Sequence, residues 1–409
     1  MANPILNLGN NEWATKSESL LGYSKSGSNF KPVPFTHSRA SIGTTIDRNG
    51  VLQTEAGNIP RIDFKDNIKG ALLLEPQRTN LASYSQDFDN AYWTKARSSI
   101  TANQTTSPDV SNTADKLIDS TDNNTHIVYR SFTVSTSNAY TFSCFLKKGS
   151  LSKAFLAFDA AIGQTVVFDL ENGTVESEGT GVTSSSIIEY ANDWYKCSLT
   201  HTPTTTTRLY RIGTYNGNIS YTGTGTDYIY IWGAQIEQGS YPTSYIQTGA
   251  STVTRLKDEC FNGGNADLFN ITEGTLFLDV YDFKSSANPE ITLSSGSATN
   301  RITLVYYPLS NQLRFYISSN NVVQADQFVS YTYSQRNKIA LRYKQNDFKA
   351  YINGTQVFSD TSGNTPIALS RFDFSKYDQT NGFFEGEVYQ TMIFNEALSD
   401  SELQTLTTL

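Results

Sequence analysis

The stretch YIYIWGAQIEQGSYPTSYIQT, residues 228–248, holds the question on which the fold turns. Tyr228, Tyr230 and Trp232 alternate with Ile229 and Ile231. That is the period of a β-strand, so three aromatic rings share one face and two isoleucines the other. The run breaks at Gly233, and Gly239, Pro242 and Ser244 make the tail turn-rich. A bare aromatic face would be a platform for a ligand. Two covered faces would make this a central strand. The turn-rich exit favours the closing strand of a sandwich, with Trp232 in the core and the tail leading to the next domain.

The neighbouring sequence carries the same pattern. Residues 126–134, 139–149, 153–159, 164–175, 193–202 and 207–215 are short strand-like runs, with Asn172-Gly173 and Asn216-Gly217 as hairpin signals. This spacing predicts a two-sheet sandwich over 81–255. A second β unit is expected over 256–409, with runs at 273–283, 301–309, 312–319, 337–360 and 386–398 and a tight tip at Asn353-Gly354. Residues 266–409 are expected to fold alone. The chain closes on LSDSELQTLTTL, where Ser399 or Asp400 is a fair N-cap and Glu402 falls in the first turn of a short helix. Residues 1–80 are punctuated by Pro32, Pro34 and Pro60 and read as an extended attachment and oligomerisation segment. Asn49-Gly50 predicts a type I′ hairpin within it. The fold class expected is all-β: two antiparallel β-sandwich (jelly-roll) domains preceded by an extended N-terminal segment.

Composition narrows the function. The net charge is −8 over 409 residues, and the charges are scattered. Nucleic acid is not an expected partner, because affinity there rests on neutralising phosphates. No apolar run reaches the length of a membrane span, so no membrane insertion is expected. The N-terminus lacks a basic region followed by an apolar core, which argues against a secretory signal. Cys144, Cys197 and Cys260 are too few for a disulfide framework and read as buried thiols made in a reducing cytoplasm. Cys144 and Cys197 fall in strand-like runs that can place them face to face.

No catalytic residue is assigned. His37, His126 and His201 lack a second histidine at ligand spacing. Asp279 and Asp282 have opposite strand parity. Glu385 and Glu387 share parity, as a carboxylate pair needs, but flank Gly386 at a strand start where solvated charges are ordinary. DSTDNN, residues 119–124, offers Asp119, Asp122 and Asn124 as oxygen ligands for calcium, the one cofactor considered, against the plainer reading of a solvated loop. Tyr306, Tyr307, Tyr331 and Tyr333 are the candidate glycan-binding rings, against a default of core packing.

Three stretches resemble modules of tailed-bacteriophage fibre and head-spike proteins, of the head-spike-fibre or carbohydrate-binding-like type: residues 37–64, with PRIDF; residues 70–95, with LLLEPQRTNL; and residues 230–255, with WGAQIEQGSYPTSYI. Together they span 37–255. Residues 271–409 resemble a concanavalin A-like, laminin-G-like domain through TEGTLFLDVY, DFKAYINGTQVF and FFEGEVYQTMIFNEALSDSELQTL. The resemblance implies a virion protein, made in the host cytoplasm and exposed on the particle. It implies contact with a capsid or tail protein and with host-surface glycan, and a homotrimer. Ile5, Leu6, Leu8, Trp13, Leu20 and Leu21 point the same way, because their apolar surface needs a partner. A non-enzymatic attachment subunit is the reading adopted. The rivals are a glycan-depolymerising virion enzyme and a ligand-free capsid decoration protein.

Overall fold

The computed structural model describes residues 3–26, 29–159, 162–283 and 287–409. Contacts divide the chain into two units. The first is Met1–Ile42, Glu55–Pro76 and Leu256–Leu409; the second is Gly43–Thr54 and Gln77–Arg255. This grouping differs from the division 1–80, 81–255 and 256–409 expected from sequence. Most of the N-terminal segment is part of the first unit's sheet, and its hairpin belongs to the second unit.

The second unit is a sandwich of two six-stranded antiparallel sheets. In one, Tyr228–Gln238 lies between Ala114–Asp119 and Tyr140–Lys148, so it is a central strand. Both of its faces are covered. Ile229, Ile231, Ala234 and Ile236 fill the core between the sheets. Trp232 packs on the opposite face with Phe145, Trp194 and Tyr245, under Ile46 and Leu52 of the hairpin Gly43–Ile46 and Leu52–Glu55. The switch from odd to even core positions happens at Gly233, which has φ +63° and sits where the register with Tyr140–Lys148 shifts. A side chain there is disfavoured because φ is left-handed, and a Cβ would lie 3.0 Å from the Phe145 ring. Cys144 and Cys197 are direct cross-strand partners, both buried and free.

The first unit is a sandwich of a twelve-stranded and a five-stranded sheet. Leu276, Leu278 and Ile393 from the larger sheet and Ile302, Leu304, Phe315 and Ile317 from the smaller share one core. Leu6, Leu8 and Leu20 are fully buried in this same core, and Trp13 packs against it. The strand Leu6–Gly9 pairs with Gly386–Phe394, and Ala71–Leu74 pairs with the start of that strand. The apolar N-terminal residues therefore find their partner within the unit, and the sequence argument that they call for another subunit falls. The helix Asp400–Thr407 carries a capping box between Ser399 and Glu402. Leu403 packs with Phe277, Ala340 and Tyr351 on the outer face of the larger sheet. Among the described residues no helix is long and apolar enough to cross a membrane.

Candidate functional site

Alternation along two neighbouring strands of the five-stranded sheet builds the site. In Arg301–Tyr307, Ile302, Leu304 and Tyr306 enter the core, so Arg301, Thr303, Val305 and Tyr307 face outward. In Gln312–Ser319, Arg314 and Tyr316 face the same way. Register places Thr303 opposite Tyr316 and Val305 opposite both Arg314 and Glu290. Lys376 and Tyr377 complete the wall of a cavity of about 140 Å³.

Rings and guanidinium groups interleave across this floor. Arg301 lies 4.7 Å from the Tyr316 ring and 4.6 Å from the Tyr377 ring. Arg314 lies 4.7 Å from Tyr316 and 5.2 Å from Phe328. Stacking of this kind holds a planar cation against an aromatic face. Arg314 donates from Nε and Nη2 to Asp326, both at 2.7 Å. Lys376 is 3.1 Å from Asp378. Two polar atoms on the floor, Arg301 Nε and Thr303 Oγ1, are buried with no hydrogen-bond partner among the described residues. Burial pushes the Glu290 carboxyl above its usual range, against the attraction of Arg301 and Lys376.

Of the four tyrosines expected to bind glycan, only Tyr307 lines this cavity. Tyr306, Tyr331 and Tyr333 are core residues at 1%, 5% and 7% exposure, which corrects the outward placement. Tyr306 points opposite to Tyr307 by strand parity. Tyr331 and Tyr333 lie past the strand end, where Tyr331 Oη donates to buried Asp282 and Tyr333 Oη to the Gln312 carbonyl at 2.7 Å. Their rings pack 4.8 Å apart beside Tyr306. Arg301, Arg314, Tyr316 and Tyr377 were missed from the sequence. Parity in RITLVYY and QLRFYISS marks the outward set, but not the loop that folds over it.

Of the calcium candidates, Asp119 is buried while Asp122 and Asn124 are exposed. Asp119 Oδ1 accepts from the backbone of Gly225 and Asp227, and Oδ2 from Thr224 N and Tyr221 Oη. Its oxygens organise the 222–227 turn. Asp122 accepts from Ser120 Oγ and Asn124 from Thr125 N. Among the described residues no group of three or more His, Cys, Asp or Glu is disposed to hold a metal.

The acidic pairs are also engaged. Asp279 accepts two hydrogen bonds from Arg336, at 2.7 and 2.6 Å. Glu387 is buried rather than solvated, and Tyr389 Oη donates to it at 2.6 Å.

Residues 280–404 match the family described as the Concanavalin A-like lectin/glucanases superfamily. No curated protein matches the chain. Among solved structures, the Ruminococcus gnavus sialidase CBM40 module bound to α2,3-sialyllactose shares 15% identity at a TM-score of 0.30, covering 36% of this chain and 93% of the module. Domain 4 of an extracellular arabinanase from Geobacillus stearothermophilus, in complex with arabinotriose, shares 14% identity at 0.31, covering 42% and 84%. Trypanosoma rangeli sialidase shares 12% at 0.29, covering 96% and 82%.

Proposed function

We propose that the chain is a glycan-binding attachment protein, and that its binding site is the cavity on the outer face of the five-stranded sheet. The observation that carries this is a cavity lined by Tyr307, Tyr316 and Tyr377, in which the Arg301 side chain has no hydrogen-bond partner among the described residues. Tyrosine rings stack on the apolar C–H faces of sugars, while the Arg301 guanidinium offers donors to hydroxyl or carboxyl groups. The concanavalin A-like match over 280–404 supports a carbohydrate ligand. Placement on a bacteriophage fibre or spike rests on the motifs at 37–64, 70–95 and 230–255. In that setting the chain would face the host cell, held by a capsid or tail protein. A homotrimer, as fibre resemblance implies, would raise weak single-site binding by avidity. A binder is favoured over a depolymerase because Asp279 and Glu387 are tied to Arg336 and Tyr389.

Full-length protein on a glycan array, followed by calorimetry with the hits, tests the reading. Binding without release of reducing sugar is expected. Release of sugar would establish the enzyme instead, and silence in both assays would leave a decoration protein. Antibodies against the chain should label the surface of intact phage particles.

A further inference from the structure

We propose that the sugar this cavity takes is an acidic one, its carboxylate received by Arg301. The inference rests on the glycan-binding reading above and narrows it to a ligand class. The charges at the cavity fall into two sets. Arg314 is satisfied by Asp326 through two hydrogen bonds, and Lys376 by Asp378. Arg301 has no ion pair and no side-chain hydrogen bond among the described residues, and its Nε is buried. Glu290 attracts it through space but shares no hydrogen bond or ion pair with it among the described residues, so its charge is free to meet a ligand anion.

The shape of the site says what that partner is. The rings of Tyr316 and Tyr377 both lie within 4.7 Å of the Arg301 guanidinium carbon. Its two terminal nitrogens carry no hydrogen bond among the described residues, which leaves them for a ligand. A planar carboxylate accepts two parallel hydrogen bonds from such an edge, whereas a lone hydroxyl accepts one. Thr303 Oγ1 lies buried and unpartnered on the same floor. Tyr307 at the wall offers a ring to the apolar face of the sugar.

Glu290 modulates this contact. Arg301, Lys376 and Arg314 attract its charge, Asp378 repels it, and burial disfavours it. An arriving carboxylate raises its proton affinity further, so binding takes up a proton. Affinity for an acidic sugar should therefore increase as pH falls through the Glu290 titration.

Calorimetry on the full chain with oligogalacturonate, a glucuronate-bearing oligosaccharide and sialyllactose, beside galacto-oligosaccharide and lactose, tests the proposal. At least one acidic probe should bind about tenfold or more tighter than its neutral counterpart, the worth of one charge-assisted fork. Arg301→Gln should abolish that preference, and Arg301→Lys, which keeps the charge but not the fork, should restore only part of it. Glu290→Gln should flatten the pH dependence and strengthen acidic-sugar binding at alkaline pH. Neutral sugars bound as well as acidic ones, with Arg301→Lys unaffected, would overturn the acidic-sugar inference and leave the glycan-binding reading standing. Failure of every probe, acidic and neutral, together with a silent array, would overturn both.

Discussion

Arg61 and Asp258, 197 residues apart in the chain, meet side chain to side chain in the first unit, both fully buried. Arg39 Nη1 donates to the same carboxylate at 2.9 Å, and Arg61 Nη1 also reaches Glu75 at 2.8 Å. Arg61 lies in the PRIDF stretch, Glu75 in LLLEPQRTNL and Asp258 just beyond TVTRLK. The network thus ties the N-terminal strands to the start of the C-terminal half. Removing one member of a buried set strands the others, at a cost of about 3–5 kcal/mol. Arg61→Ala should lower stability by that order in chemical denaturation. A loss below about 1 kcal/mol would mean water reaches the site.

Two buried carboxylates in this unit should bend its stability curve in opposite directions. Burial alone would raise Asp258, but Arg61, His37 and Arg39 outweigh it and hold the group far below the usual range. Its contribution is present above the unfolded-state value near pH 4 and is lost as pH falls further. Asp282 is pushed up to about 7, chiefly by burial, against hydrogen bonds led by that from Tyr331. Its native form is the acid, so its contribution is full below about pH 4 and is lost as pH rises toward 7. The unit should therefore be most stable in mildly acidic solution. Asp282→Asn should flatten the neutral limb by an amount of order 1 kcal/mol or more, while leaving the acid limb in place.

What sequence reveals here depends on how local the cause is. The helix was legible because its capping box is contained in Ser399–Glu402. Asn353-Gly354 was legible because both residues adopt positive φ in a two-residue turn between Ile352 and Thr355. Asn49-Gly50 gave a hairpin of another type. Only Gly50 has positive φ, and Asp47 accepts from the backbone of Asn49 and Val51, spreading the loop. Leu6–Gly9 was not legible, since four residues carry no readable period and their strand exists only by pairing with Gly386–Phe394. The outward parity of the cavity strands was readable, but Tyr377 reaches the site from a loop whose course no periodicity encodes. Tyr331 and Tyr333 misled because aromatic content does not reveal that Asp282 waits inside for a phenol.

The first unit should not survive loss of its N-terminal strands. One edge of Gly386–Phe394 is covered by Ala71–Leu74 and Leu6–Gly9 in succession. A fragment of residues 266–409 would bare that edge and the core beneath Leu6, Leu8 and Leu20. Instead of folding alone, it should melt without cooperativity or aggregate. In the full chain, Leu6→Ala and Leu8→Ala should each cost about 2–5 kcal/mol. A sharp transition from the isolated fragment would refute the structural role of these strands.

Gly233 should resist substitution more than its flanking residues. Its φ of +63° is left-handed, and a Cβ would meet Phe145 at 3.0 Å and Tyr245 at 3.2 Å. Gly233→Ala should cost about 1–3 kcal/mol in the second unit from backbone strain. Gly217→Ala is the control, since φ there is +69° and no atom lies within 4 Å of the added carbon. Equal losses at the two sites would leave backbone strain alone as the cause; the packing argument requires Gly233 to lose more.

Tyr307 and the pair Tyr331 and Tyr333 separate binding from stability within one short region. Tyr307 stands half-buried at the cavity wall, 5.4 Å from the Phe328 ring. Truncating it removes a stacking surface and little core contact. Tyr307→Ala should weaken glycan binding about tenfold, a stacking contact of roughly 1–1.5 kcal/mol, with the Tm nearly unchanged. Tyr331→Ala and Tyr333→Ala together empty a packed aromatic cluster and leave the buried Asp282 carboxyl without its phenol donor. Each truncation of a buried ring costs about 3–5 kcal/mol, so the double variant should lose most of the unit's stability before binding can be measured. Weakened binding at full stability in the double variant would place these rings at the surface and reverse the assignment. Unchanged binding in Tyr307→Ala would move the site away from this wall.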